Sequence, residues 1–235
     1  MELTQVLTEL ESYGNPSTQK IYRNHGLTVP CFGVKVGDMK KILKKTKKNH
    51  QLALALFASG NPDAMYLAGL MADEKRVSAE ELEAWAERAE WYMVGEYAVA
   101  GLAAESAHGW ALGNKWIDSS KAHVASIGWA TLGGLVSLLP DEKLDLDHLQ
   151  TLLERVRHSI HGAPNRVRYT MNGFVIAVGS YIGALTGEAM AVAAAVGPVS
   201  VDMGGTACKV PDAPQYIEKM ITTNRIGKKR KNARC

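Results

Sequence analysis

A helical period of apolar residues, bounded by start and stop signals, recurs along most of this chain and constrains its fold more than any other feature. The first segment places Leu3, Val6 and Leu10 on one face, which is the spacing of an amphipathic helix. Further along, Ser78 followed by Glu81 predicts a capping box at a helix start. Between residues 62 and 185 no stretch alternates with period two over the length of a strand. The pattern therefore predicts a helical protein.

The number and spacing of these segments indicate a repeat architecture. They amount to about twelve helices of roughly 8 to 20 residues with short connectors. Pairs of helices recurring about every 35 to 45 residues are typical of HEAT-like solenoids. We therefore predict an all-α fold, an α-α superhelix of the HEAT-like or ARM-like type. Because the self-similarity of the sequence is weak, an irregular helical bundle is the structural alternative.

One segment departs from the helical pattern. In residues 198–211, PVSVDMGGTACKVP, apolar and polar residues alternate on both sides of Gly204-Gly205. Strand, two glycines and strand is the pattern of a tight β-hairpin. An isolated two-stranded hairpin is marginally stable, so we expect it to pack on the helices or to project toward a ligand.

These features give a simple domain organisation. We predict one solenoid domain over residues 1–223, including the hairpin at 198–211. Residues 224–235, NRIGKKRKNARC, have no apolar period and carry many cations, so we expect a basic, disordered tail.

The predicted helix over residues 165–185 changes character along its length. Its second half, residues 174–185, is apolar or small all the way round, which is typical of a helix buried between other helices. Its first turns carry Asn165, Arg166, Arg168 and Asn172. We interpret this helix and the following hairpin as the functional end of the molecule.

Charge is segregated along the chain although its net value is only +3. Basic residues crowd residues 40–48 and 225–234, and acidic residues crowd 73–105 and 141–147. Such segregation can attract a polyanion, although any single run is equally consistent with a solvated face. No apolar run is long enough to span a membrane, and the N-terminus lacks the features of a signal peptide. We expect a cytoplasmic protein without a membrane partner.

Several classes of site are not indicated. The three cysteines, Cys31, Cys208 and Cys235, are far apart and odd in number, which argues against a disulfide framework and against zinc. His158 and His161 are the one close histidine pair, and no matching carboxylate pattern accompanies them. Phosphate-loop, dinucleotide and hydrolase motifs are absent from the sequence. We predict no metal, no cofactor and a monomeric protein.

Three stretches resemble a known family. They are FGVKVGDMKKILKK (residues 32–45), NPDAMYLAGLMADEKRVSAEELEAW (61–85) and the helix with its following segment (169–217). Together they resemble the DNA alkylation repair family of HEAT-like repeat proteins, whose best-known members are AlkD-like DNA glycosylases. The last stretch resembles a branch distinct from those glycosylases. The resemblance implies a partner, DNA, and a protein associated with the nucleoid when bound.

The resemblance also suggests a catalytic residue. AlkD-like enzymes have a tryptophan followed four residues later by an aspartate on the lesion-facing surface. That spacing joins Trp91 to Gly95, or Tyr92 to Glu96. Glu96 is therefore the candidate carboxylate that would stabilise positive charge developing on the sugar. The family's arginine is expected within KAHVASIGW, residues 121–129, which contain none.

The candidate binding residues form two sets. Residues that could stack on a base or lesion are aromatic, and Phe174 stands near the second lesion-facing tryptophan of the family. These stacking candidates are Trp91, Tyr92, Trp129 and Phe174. The candidates for contact with DNA are Lys40, Lys44, Lys48, Arg166, Arg168, Tyr169, Asn172, Lys209, Lys228, Lys229 and Arg230.

Three functions follow as hypotheses. The first is a DNA-binding protein that holds damaged, bent or branched DNA on a basic concave face, mainly through phosphate contacts. The second is an active glycosylase that excises cationic N-alkylated purines, with Glu96 as its carboxylate. The third is a HEAT-like scaffold for protein interactions. The missing arginine leaves the enzymatic activity open.

Overall fold

The computed structural model describes residues 1–234 and shows thirteen α-helices in them, without a β-strand. The helices are α1 (Leu3–Ser12), α2 (Pro16–Asn24), α3 (Val36–Thr46), α4 (His50–Ala58), α5 (Pro62–Met71), α6 (Ala79–Arg88), α7 (Ala100–Glu105), α8 (Gly109–Trp116), α9 (Ala122–Leu138), α10 (Leu146–Ser159), α11 (Asn165–Tyr181), α12 (Thr186–Val196) and α13 (Ala213–Thr222). A π-helix (Met93–Val99) precedes α7, and short 3₁₀ turns cover Asp141–Lys143, Ile160–Gly162 and Gly183–Leu185. The prediction of an all-helical fold is confirmed.

The helix starts follow the signals in the sequence. Ser78 Oγ accepts the Glu81 N–H at 3.2 Å, and Glu81 Oε2 accepts the Ser78 N–H at 2.9 Å. The predicted capping box is therefore present at the start of α6. At α5, the Asn61 side chain caps a helix whose first residue is Pro62.

Helices α5, α7, α9 and α11 run through the centre of the molecule. Every residue of α5 is buried, and α9 packs against α7, α8 and α11. The hydrophobic core has one cluster between residues 6 and 127 and another between residues 104 and 217. Helices without a polar face are thus enclosed by the amphipathic ones, as their sequences predict.

A buried carboxylate ties the loop before α3 to this centre. Asp63, in the first turn of α5, accepts hydrogen bonds from the backbone N–H groups of Phe32 (2.7 Å), Gly33 (3.1 Å) and Val34 (2.8 Å). Burial raises the pKa of Asp63, and these bonds oppose the shift. The carboxylate thereby accepts hydrogen bonds from three backbone N–H groups that lie outside any helix and have no helical carbonyl as a partner.

The predicted β-hairpin at residues 198–211 is wrong. The segment is an irregular loop whose backbone groups bond to side chains rather than to a second strand. Asn165 Nδ2 donates to the Asp202 carbonyl (2.9 Å), Asn165 Oδ1 accepts the Asp202 N–H (2.7 Å), and Asn172 Nδ2 donates to the Pro211 carbonyl (2.8 Å). Alternation of apolar and polar residues shows only that alternate side chains can face inward. Here the backbone groups of the segment bond to the side chains of Asn165 and Asn172 in α11 instead of to a second strand.

The predicted disorder of residues 224–235 also requires correction. Residues 224–234 lie against the helices, and Cys235 is outside the described residues. Backbone hydrogen bonds join Gly227 to Ser180 (3.1 Å) and Arg230 to Ser137 (2.8 Å). The segment needs no apolar period because backbone hydrogen bonds attach it to α9 and α11.

No single helix among residues 1–234 is long and apolar enough to cross a membrane. One pair, Asn165–Tyr181 and Gly183–Val196, reaches the required length and composition only when taken together, and it is bent by 114° at the break.

Glu74 helps to hold Arg234 in place. Burial by itself would raise the pKa of Glu74, but hydrogen bonds from Lys48, from its own backbone N–H and from Arg234 outweigh burial and lower the pKa to about 2. Lys48 Nζ lies 2.5 Å from Glu74 Oε1, and Arg234 Nη2 lies 2.7 Å from Glu74 Oε2. The ionised form of Glu74 therefore stabilises the folded chain.

This arrangement predicts a pH dependence of stability. The folded pKa lies below the ordinary value of 4.5, so the contribution of Glu74 is complete above about pH 4.5 and is lost as the pH falls toward 2. We expect Glu74→Gln to lower the free energy of unfolding by about 2 kcal/mol at pH 7. In urea titrations the two proteins should converge in stability as the pH approaches 2. A difference that stays constant over this range would contradict the assignment.

Candidate nucleic-acid interface

A buried ion pair joins the π-helix to the start of α11. Arg166 Nε donates to Glu96 Oε1 at 2.9 Å, and Arg166 Nη2 donates to Glu96 Oε2. The Glu96 side chain is only 3% exposed and that of Arg166 is 20% exposed. The two parallel bonds hold both side chains in one plane, which is the bidentate geometry that arginine forms with a carboxylate.

Two tyrosines enclose the guanidinium of this pair. The Arg166 Cζ atom lies 4.0 Å from the ring centre of Tyr92 and 4.3 Å from that of Tyr169. Both distances are within the range of a cation–π interaction, whose strength grows when water is excluded. The guanidinium of Arg166 is therefore held by the Glu96 carboxylate at its edge and contacted by the rings of Tyr92 and Tyr169.

The geometry of the π-helix determines which of residues 95 and 96 faces the site. At Gly95, an added Cβ would lie 2.9 Å from the side chain of Ile127 in α9, so this position packs against the core. Glu96, the next residue, instead points to α11 and meets Arg166. Of the two spacings in the sequence, the one that joins Tyr92 to Glu96 therefore reaches the site. π-Helical turns are often found at functional sites because they redirect side chains.

Burial raises the pKa of the Glu96 carboxyl, and the two hydrogen bonds from Arg166 oppose this shift without cancelling it. Arginine keeps its proton in proteins, and a buried guanidinium without a counter-charge would be costly. Glu96 consequently serves as the partner of Arg166 near neutral pH. A second cation, such as a developing positive charge on a sugar, would have to share a carboxylate that is already neutralised.

A cavity of about 310 Å³ opens beside this pair. It lies between the π-helix, α9 and α11, and Tyr97 and Tyr169 line it together with Glu96. Tyr97 is 42% exposed, and partial desolvation raises the pKa of its hydroxyl above the usual value. At Gly173, on the cavity wall, an added Cβ would meet no atom within 4 Å. The cavity is thus largely aromatic and apolar, with Glu96 and Arg230 as the charged residues of its lining.

Trp129 and Phe174 do not present a face for stacking. Each is 1% exposed, and their ring centres lie 5.2 Å apart in an edge-to-face arrangement. They form part of the cavity wall from within the core. The prediction that they stack on a base is corrected, because both rings already fill the space between α9 and α11.

Trp91 and Tyr92 are half-buried and bonded to the loop that follows α2. Trp91 Nε1 donates to the His25 carbonyl at 3.0 Å, and the Tyr92 hydroxyl is 2.6 Å from His25 Nδ1. The Trp91 ring also lies 4.9 Å from that of Tyr22. Both residues therefore support the walls around the ion pair, and Tyr92 alone touches it.

The lysines of α3 divide into paired and unpaired side chains. Lys41 binds Asp38 (2.7 Å) and Lys45 binds Glu9 (2.6 Å). Lys40 and Lys44 are exposed, and within the described residues neither takes part in an ion pair. They are four residues apart, on one face of the helix. Lys48, the third candidate in this region, is occupied by Glu74.

The remaining candidates differ in availability. Lys209 is exposed, and Arg168 is partly buried with its Nε lacking a hydrogen-bond partner among residues 1–234. Asn172 is buried, and its amide holds the Pro211 carbonyl, so its predicted contact with DNA is corrected. Lys229 Nζ donates to the Val136 carbonyl at 3.0 Å and lies 2.8 Å from Asp141. Lys228 and Arg230, its neighbours, are exposed.

Sequence reasoning missed two parts of the site. The arginine expected in α9 is absent, but Arg166 of α11 places a guanidinium beside Glu96. Arg166 and Glu96 are seventy positions apart in the chain, so the local periodicity of the sequence does not predict their contact. Tyr97 was also missed, although it follows Glu96 directly and its ring centre lies 6.4 Å from that of Tyr92.

A family model described as “DNA alkylation repair enzyme” matches residues 6–195 of this chain. The chain belongs to the DNA alkylation repair enzyme family. This assignment confirms the resemblance drawn from residues 32–45, 61–85 and 169–217.

Two relatives are similar to this chain over most of their own length. The chain is 38% identical over 221 residues to “Uncharacterized protein Lmo0209” of Listeria monocytogenes, covering 92% of this chain and 95% of the relative. “Uncharacterized protein Lin0241” of Listeria innocua matches with the same identity and coverage.

A solved structure superposes with a TM-score of 0.92 at 36% identity, over 100% of both chains. It is described as “A new family of proteins related to the HEAT-like repeat DNA glycosylases with affinity for branched DNA structures”. The HEAT-like architecture of this member of the DNA alkylation repair enzyme family is thereby confirmed.

The buried ion pair of this family member makes a specific prediction about stability. Arg166→Met would leave the Glu96 carboxylate buried without a counter-charge, which typically costs about 3–5 kcal/mol. The double variant Glu96→Gln/Arg166→Met removes both charges, and we expect it to recover much of that loss in urea titrations.

Arg168→Met provides the control, since Arg168 has no ion pair among residues 1–234. It should change the free energy of unfolding by less than about 1 kcal/mol. Equal losses in the Arg166 and double variants would show that the two charges are not coupled.

Proposed function

We propose that this protein binds branched or bent DNA, and that it does so without excising a base. The observation that carries the proposal is the Glu96–Arg166 pair, in which the carboxylate that the family resemblance suggests as catalytic already has a guanidinium partner. A group whose charge is already compensated contributes little to a developing cation. The site is thus better suited to holding DNA than to breaking a glycosidic bond.

Support for DNA as the partner comes from the relatives and from unpaired cations. The structural neighbour is described as having affinity for branched DNA. In this chain Lys40, Lys44 and Lys209 are exposed, and no ion pair involves them within the described residues. Such side chains bind phosphate irrespective of base sequence, and they favour DNA whose shape brings more phosphates within reach.

The salt dependence of binding tests this proposal. We expect the protein to bind a four-way junction more tightly than a linear duplex of the same length, with affinity falling steeply as salt rises. In Lys40→Ala/Lys44→Ala the slope of log K against log salt should decrease by about 2, since two phosphate contacts are lost.

Lys115→Ala/Lys121→Ala is the matched control, because these lysines are engaged by Glu83 and Glu87. Its salt slope should equal that of the wild type. Absence of binding at low salt would reject DNA as the partner and would favour a scaffold for protein interactions.

The cavity favours a second candidate, a glycosylase for cationic N-alkylated purines. Its volume of about 310 Å³ and its tyrosines are compatible with an aromatic base beside Glu96. An alkylated purine is already a good leaving group, so positioning and one carboxylate could suffice.

Base release decides between the two candidates. Under our proposal, incubation with DNA containing 7-methylguanine yields no free base above the buffer blank. Release that disappears in Glu96→Gln and in Gly173→Leu would establish the glycosylase instead. The Gly173 variant fills the cavity from a position where an added Cβ meets no neighbour.

A further inference from the structure

The last described residues cross the centre of the molecule in reverse chain order. We call residues 224–234 the strap. The Gly227 N–H donates to Ser180 of α11, and the Arg230 N–H donates to Ser137 of α9. The N–H groups of Ala233 and Arg234 both donate to Glu105 Oε1 at the end of α7 (2.7 and 3.1 Å). The surface of these helices that the strap covers is called the strap face.

Arg234 anchors the end of the strap in a closely fitted site and is 8% exposed. Its Nη1 donates to the carbonyls of Gly69 (2.9 Å) and Ala72 (2.7 Å). Its Nε lies 2.8 Å from Glu105 Oε2, and its Nη2 lies 2.6 Å from the same oxygen and 2.7 Å from Glu74 Oε2. These five contacts match the five N–H donors of a guanidinium.

The helix beneath the anchor is shaped to receive it. An added Cβ at Gly101 of α7 would lie 2.9 Å from Arg234 Cγ, and its three nearest atoms would all belong to Arg234. A larger side chain at Gly101 would therefore displace the anchor without altering any charge.

Docking of the strap reverses the charge of the strap face. Three carboxylates lie under it, those of Glu74, Glu105 and Asp141, with Lys48 as the neighbouring cation. These groups carry a net charge of −2 without the strap, and the six strap cations raise it to +4. Two of the six form ion pairs with these carboxylates: Arg234 with Glu74 and Glu105, and Lys229 with Asp141.

Four cations of the strap remain without a carboxylate partner in the part of the chain that the structure describes. All four are exposed, and none takes part in an ion pair within residues 1–234. They are Arg225, Lys228, Arg230 and Lys231. Arg230 and Ala233 also line the cavity beside Glu96, so the strap places unpaired positive charge at the rim of that cavity.

We propose that the docked strap is a phosphate-binding surface, and that Arg234 creates it by fixing the strap over an acidic face that would otherwise repel DNA. This inference rests on the proposed DNA binding and adds the surface that carries it. Fixed cations bind phosphate better than mobile ones because less conformational freedom is lost on binding. An acidic face left uncovered would also oppose the approach of a polyanion.

The experiment separates docking from charge. Gly101→Val removes no charge, and Glu105→Gln removes a negative charge, which by simple electrostatics should strengthen DNA binding. If docking creates the surface, both variants should instead weaken binding to a four-way junction by about tenfold or more. Both should also lower the salt slope. Deletion of residues 224–235 should weaken binding at least as much.

Two controls accompany these variants. Glu142→Gln alters an exposed carboxylate, and Gly187→Val adds a side chain at a helix position where an added Cβ meets nothing within 4 Å. Neither should weaken binding. Hydrogen exchange at the amides of Gly227, Arg230, Ala233 and Arg234 reports docking directly, and thermal melting confirms that each variant is folded.

The outcomes are distinct. A wild-type protein that binds no DNA rejects the proposed function itself. Wild-type binding that is unchanged in the deletion variant overturns the inference alone. Tighter binding by the deletion variant also overturns it and shows that the strap covers the DNA site. Loss of amide protection together with weaker binding in Glu105→Gln supports the inference.

Discussion

The interaction between Glu96 and Arg166 is the constraint around which the functional end of this protein is arranged. It joins a π-helix to the first turn of α11 across the centre of the molecule. Tyr92 and Tyr169 complete the enclosure of the guanidinium, and α11 in turn holds the 198–211 loop through Asn165 and Asn172. A buried pair of this kind tolerates loss of both charges far better than loss of one.

The same pair shapes the functional interpretation. In a glycosylase the carboxylate has to be free to stabilise positive charge on the sugar, whereas here a guanidinium already satisfies it. The cavity beside it has a volume of about 310 Å³ and is lined by Tyr97 and Tyr169. The engaged carboxylate and the exposed cations are the two observations on which the proposed recognition of DNA by its shape rests.

Polar attachment explains the two segments that lie outside regular structure. The 198–211 loop and the strap are both held to the helices by side-chain and backbone hydrogen bonds. For the strap, the attachment also rearranges charge, because Arg234 covers Glu74 and Glu105 while its neighbours remain exposed. Arg234 thus links the docking of residues 224–234 to the charge of the surface.

The sequence by itself determined the helical class, the capped helix starts at Pro62 and Ala79, and the family, because these depend on local periodicity and local motifs. It also brought Glu96 and Arg166 forward as separate candidates. Tertiary structure decided that they pair, that Phe174 and Trp129 are core, that the 198–211 segment is a loop, and that residues 224–234 dock. The reason is physical: partners 37 to 165 positions apart along the chain are chosen by packing and hydrogen-bond geometry in three dimensions, and no local pattern encodes that choice.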